Sequence, residues 1–269
     1  MNNMESRLDK IVQADESLLG LARSLKAIRK KGAEPISLRD YARIISYGNR
    51  DALDGAQCPN GLVREGVVYV PGERTLLVRD SPLIEPALAK KFGNKIDSYH
   101  NRMLELMKED PQDMDEMDKV EDSQRRFVQH IDPTPYLQMA REDRVKAPED
   151  RRVFEVDYSE IGGCGDKIAG FGSYAIDNSA LEDSEVFRWM FKDYKGQHAD
   201  TLREWCKEGK IKTFLEVGGK SIKNFYGDKP FVKQLYIVPS EWGRVGITDW
   251  QQDRVCNFIG LREESQNGN

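Results

Sequence analysis

The sequence predicts a mixed protein, α+β or α/β: a helical N-terminal region with a winged-helix-like β-hairpin, then a mixed α/β C-terminal domain. Three observations carry that expectation. Apolar residues recur at helical spacing early in the chain and again over residues 85–109. Two strand-like runs, 62–70 and 74–79, flank the turn residues Pro71, Gly72 and Glu73. Beyond Ala147 and Pro148 the pattern alternates between extended and helical segments. The divisions expected from this are a helical module with a hairpin (1–82), a helix and acidic connector (83–148), a mixed α/β domain (149–262) and a polar tail (263–269).

Taken in order, residues 4–31 read as a helix, with Leu18, Leu21, Leu25 and Ile28 about a turn apart and Gly32 as a stop. Its end is basic: Arg29, Lys30 and Lys31 complement the helix dipole or contact phosphate. Ser37 and Asp40 fit a capping box for a second helix. A short third helix over 50–57 precedes the hairpin, and three helices then a hairpin is the order of a winged helix-turn-helix. In that arrangement Asn49 and Arg50 start the recognition helix, and Arg64 and Arg74 sit on the wing, although Asp51 and Asp54 oppose phosphate. Residues 85–109 form a helix lined by Leu88, Phe92, Ile96, Tyr99, Met103, Leu106 and Met107. The acidic segment 111–122 has no calcium-loop pattern and reads as a linker or an exposed helix. A short helix over 136–144 closes the middle region. In the second half, strands are expected over 153–161, 167–176, 211–217 and 231–238. Helices are expected after Ser179, over 198–208 and 220–226, and after Thr248.

Composition bounds the function classes. The chain has 269 residues, 39% hydrophobic and 32% charged, enough to bury a core under a well-solvated surface. No apolar run approaches the roughly 20 residues that cross a bilayer, and the first residues lack a secretory leader, so a cytoplasmic protein without membrane contact is expected. Cys58, Cys164, Cys206 and Cys256 lie far apart with no C-x-x-C spacing, and there are three histidines. That argues for free thiols and against a zinc centre. The net charge is −5, yet residues 1–80 hold 13 Lys+Arg against 11 Asp+Glu. A nucleic-acid contact therefore has to be local, and the N-terminal third is its expected place.

The carboxylates offer a second chemistry. Asp157 lies mid-strand between Val156 and Tyr158, Glu185 on a helix, Glu216 on a later strand, and Asp249 or Asp253 near the last helix. Carboxylates so distributed can hold two divalent ions about 4 Å apart for phosphodiester hydrolysis. In topology this order resembles the ribonuclease H group of nucleases, and the resemblance implies Mg²⁺ at those residues. It departs from that group in lacking a third strand before the long helix and in having Glu216 where aspartate is usual. The glycines Gly162, Gly163, Gly165, Gly170 and Gly172 complete neither G-x-G-x-x-G nor a P-loop, and read as a turn with closely packed strands. No nucleophile frame is present. Three functions are therefore expected in order: nucleic-acid association through the N-terminal third, non-catalytic assembly with protein partners, and metal-dependent hydrolysis.

Overall fold

The computed structural model describes residues 11–12, 20–41, 61–109, 112–156, 162–163, 171–174, 185–191, 215–218, 222–239, 245–248 and 258–262. Its helices are Gly20–Lys30 (α1), Pro86–Glu109 (α2), Met114–Arg125 (α3), Thr134–Asp143 (α4), Glu185–Phe191 (α5) and Lys223–Tyr226 (α6). Its strands are Ile11–Val12 (β1), Ala33–Pro35 (β2), Gly61–Val70 (β3), Arg74–Val78 (β4), Gln129–His130 (β5), Val153–Val156 (β6), Gly162–Gly163 (β7), Phe171–Tyr174 (β8), Leu215–Gly218 (β9), Phe231–Pro239 (β10), Val245–Thr248 (β11) and Gly260–Arg262 (β12).

Most of the strands form one sheet in the order β6-β4-β3-β10-β11-β9-β8-β7, with β5 also paired to β10. Every pairing in it is antiparallel except β9 with β11, so the architecture is α+β and not a parallel α/β sheet. The sheet takes strands from both sides of the expected divisions at 82/83 and 148/149.

The hairpin β3–β4 forms as its sequence dictates. A run rich in valine, Val63, Val67, Val68 and Val70, leads up to a turn at Pro71, where Gly72 adopts φ +79°. It is not a protruding wing, however. On one side β4 pairs with β6 and on the other β3 pairs with β10, so both hairpin strands are internal to the sheet. The third helix of the winged arrangement lies outside the described residues. The extended runs expected around the glycine-rich connection do not pair with each other: β6 joins β4, while β7 and β8 form their own hairpin.

The sheet is rolled. β6 and β7 are the first and last strands in the order, yet only residues 157–161 separate them, a span of at most about 20 Å. Eight strands laid flat would place them about 34 Å apart. Hydrogen bonds across the interior confirm the curl: Thr75 Oγ1 on β4 donates to the Gly218 carbonyl on β9 at 2.9 Å, and Gly218 N donates to the Tyr69 hydroxyl at 2.8 Å.

Both faces of β3, β4, β6 and β10 are buried over the described side chains. Val67, Tyr69, Leu77, Phe154, Leu215, Phe231 and Leu235 face the interior. There they pack against α5, whose Val186, Phe187, Trp189 and Met190 are all fully buried. Burial of each such side chain contributes about 2 kcal/mol. Val68, Leu76, Val78, Val153 and Val232 face outward beneath α1, α2 and α4, meeting Leu25, Ile28, Phe92 and Ala140.

A second, three-stranded sheet has the order β1-β12-β2. Ile11 and Val12 are thus a strand, where helical periodicity assigns them to a helix: their backbone pairs with Leu261 and Gly260, and β-branched residues favour the extended form. Ile259 and Phe258 are likewise extended and not helical: Ile259 N donates to Leu62 O at 3.0 Å, and Phe258 bridges Leu62. The acidic segment is a helix, α3, opened by Asp113, which accepts from Glu116 N at 3.1 Å.

Candidate functional site

The cations expected to meet phosphate divide into two groups. Arg29 pairs with Glu34 at 3.0 Å, Arg74 with Glu155 at 3.3 Å, and Arg64 bonds Asp80. Arg64 and Arg74 stand near opposite ends of the hairpin, about 20 Å apart along β3. They form no shared surface. Asn49 and Arg50 lie outside the described residues. Lys30 is exposed at the end of α1, and Lys31 follows it, its carbonyl accepting from Arg262 Nε at 3.1 Å.

Exposed lysines do stand along α1 and at the start of α2. The two helices cross where Gly93 meets Ala22 so closely that a Cβ on Gly93 would lie 2.7 Å from the alanine methyl. Arg23 bridges the crossing to Asp97 at 3.1 Å. With Leu21, Leu25 and Ile28 turned into the core, the 100° step of the helix carries Lys26 and Lys30 out on the flank next to α2. Lys90 and Asn94 answer them from α2, while Lys91 and Lys95 occupy its opposite shoulder. Lys26, Lys30 and Lys90 are exposed and make no ion pair among the described residues. Lys90 was not among the expected contacts, because only the helix crossing brings it beside α1.

The carboxylates are not brought together among the described residues. Glu185 is exposed and bonds Arg151 at 3.1 Å. Glu216 sits on β9 between Thr248 and Ser173. Asp157, Asp249 and Asp253 lie outside the described residues. β6, which leads into Asp157, ends at Val156 beside Thr75, and Thr75 bonds the Gly218 carbonyl of β9 across the interior of the roll. No group of three or more His, Cys, Asp or Glu among the described residues could hold a metal ion.

What sequence reasoning missed is a buried charged cluster at one end of the rolled sheet. Glu65 on β3 is 1% exposed and accepts from Leu38 N at 2.9 Å, which ties the helical turn at 38–41 to the sheet. Arg79, just past β4, stacks on the Trp189 indole, its guanidinium carbon 3.9 Å from the ring centre. Arg39 and Arg79 both donate to the carbonyls of Glu149 and Trp189. Those carbonyls belong to a 3-10 turn and to α5, so the arginine pair pins α5 to the sheet. Burial raises the Glu65 carboxyl to about 7, against the opposing pull of Arg79 and the Leu38 amide. Burial and the neighbouring Arg39 charge press Arg79 down to about 9, which leaves it a cation at neutral pH. The signal was present in Gly-Leu-Val-Arg-Glu-Gly-Val-Val, where a glutamate interrupts an apolar strand. The cluster is a device for positioning α5, and its remaining buried donors, Arg39 Nε and Arg79 Nη1, have no partner.

No helix among the described residues is long and apolar enough to cross a membrane. Compared with protein-family models, with curated proteins and with solved structures, the chain matches none.

Proposed function

We propose that the chain associates with nucleic acid through the face shared by α1 and the start of α2, contacting phosphates without reading base sequence. The observation that supports this is a set of exposed lysines without ion pairs among the described residues, Lys26 and Lys30 on α1 and Lys90 on α2, carried by two tightly crossed helices in a chain that is acidic as a whole. Lysines without carboxylate partners are free to displace the counterions condensed on a phosphate backbone, and that release drives sequence-independent binding. Arg29, Arg64 and Arg74 already hold carboxylates and contribute less, so this surface stands in place of a wing.

The test is a titration of duplex and of single-stranded DNA at several salt concentrations. The triple substitution Lys26→Ala, Lys30→Ala, Lys90→Ala is expected to flatten the slope of log affinity against log salt by about 2 to 3, close to one counterion per lysine. Arg64→Ala and Arg74→Ala are expected to leave the slope nearly unchanged. A wild-type protein without salt-dependent binding to either form, or a triple variant with the wild-type slope, defeats the proposal.

A further inference from the structure

We infer that the far end of the helical hairpin α2–α3 is a docking surface for a basic amphipathic helix of a partner protein. The surface is separate from the lysine face: α2 has 24 residues, about 36 Å of helix, and the two sites occupy its opposite ends. The inference does not rest on nucleic-acid association.

Only four large hydrophobic side chains are exposed among the described residues, and three of them are here: Leu104 at 42%, Met107 at 54% and Met114 at 60%. Met103 and Met117 lie half-buried beside them, so four of the chain's eight methionines fall within residues 103–117. Helical geometry makes the apolar strip along α2 continuous. Starting from the buried Leu106, Met103 lies about 60° around the helix, Met107 about 100° and Leu104 about 160°. The opposite flank is charged, with Arg102 held by Glu105 at 3.5 Å and Glu109 at 3.7 Å. Unbranched, polarizable methionines repack around differently shaped apolar partners, which suits a docking surface better than a fixed core.

Charge selects the occupant. Residues 102–109 and 112–122 carry eight carboxylates against three cations, a net of −5. Asp115 and Asp118 are exposed and make no ion pair with the described residues. This rim repels phosphate and anionic lipid and attracts lysine and arginine. An apolar strip inside an acidic rim matches a helix with leucines along one side and cations along the other. A second copy of this chain is a poorer fit. Its own basic helix, α1, keeps Leu21, Leu25 and Ile28 buried against the sheet and has no apolar side to offer.

The probe is a labelled helical peptide of leucines and lysines, about 14 residues or four turns long, with a leucine–glutamate peptide of the same pattern as control. At near-physiological salt the lysine peptide is expected to bind saturably at one site, and the glutamate peptide not at all. The double substitution Leu104→Gln, Met107→Gln removes only exposed side chains. It is expected to weaken binding by about tenfold or more while leaving the melting temperature unchanged. The methyl resonances of Met107 and Met114 are expected to shift on titration. The inference is overturned if the lysine peptide fails to bind, if the glutamate peptide binds equally, or if the double variant binds as tightly as wild type. A concentration-dependent dimer abolished by the double substitution also overturns it, by assigning the surface to a second copy.

Discussion

Asp143, the last residue of α4, and Glu65, midway along β3, are carboxylates at 0% and 1% exposure. Burial raises the proton affinity of both, yet they end on opposite sides of their ordinary values. Asp143 accepts from Arg152 N at 2.6 Å, from Arg152 Nε at 3.1 Å and Nη2 at 3.0 Å, and pairs with Lys146 at 2.7 Å. Together these overcome the cost of burial and hold the Asp143 carboxyl well below the carboxylate range. Glu65 is reached by backbone amides alone, those of Leu38 and of Glu65 itself, and the nearby Arg79 directs hydrogen bonds to the carbonyls of Glu149 and Trp189. With burial its largest influence, Glu65 rises to about 7. Depth alone does not fix a buried acid's charge; the number of donors that reach it does. Donors reach Asp143 easily, because Lys146 and Arg152 are near it in sequence and extend from solvent. Donors to Glu65 have to cross a sheet whose two faces are already packed.

Breaking the better-satisfied site should produce the largest effect. Asp143→Asn removes the charge that two cations and an amide converge on, and is expected to cost about 3 kcal/mol at pH 7, read from the denaturant midpoint. Because Asp143 is held below its ordinary value near 3.8, its contribution is present above that pH and lost as pH falls further. The variant and wild type should therefore converge in strong acid.

Glu65→Gln should act in the opposite sense. A folded value near 7, above the ordinary 4.5, means that stability tied to Glu65 is complete below about pH 4.5 and is lost as pH rises through 7. The neutral amide escapes that loss, so the variant is expected to be more stable than wild type by about 3 kcal/mol at pH 8 and nearly equal to it at about pH 4. Equal stability at both pH values would remove the distinction between the two carboxylates. An exposed pair sets the smallest effect: Arg64→Ala breaks the bond to Asp80, with half of each side chain in solvent, and is expected to change stability by about 0.5 kcal/mol or less.

The same dependence on distant partners divides what could be read in the sequence from what could not. The hairpin β3–β4, helix α2 and strand β10 are long, periodic and bounded by turn or proline signals, and their positions follow from local pattern. Strands β1 and β12 do not, since two or three residues carry no period and their pairing joins Ile11 to Leu261. Among the site residues, Lys30 was legible as the basic end of an amphipathic helix. Lys90 was not, because its relevance depends on Gly93 admitting Ala22 across the helix crossing. Arg64 and Arg74 were misassigned to a wing for the same reason: the carboxylates and strands that occupy them, Asp80, Glu155, β6 and β10, are known only once the sheet is assembled.

The small sheet β1-β12-β2 bears on how the chain acquires its structure during synthesis. Strand β12 is its middle member, flanked by segments more than two hundred residues earlier, and Ile36 N donates to the Ile259 carbonyl at 2.8 Å in the same region. On the ribosome, at about 5–20 residues per second, residues 33–36 wait roughly 10 to 50 seconds for those partners to emerge. Throughout that interval the edge of β2 is unpaired and the apolar side of α1 lacks Phe258, a contact made by its own core cluster. The nascent chain therefore spends most of its synthesis with an open strand edge near its N-terminal end, and closes it only when residues 258–262 arrive.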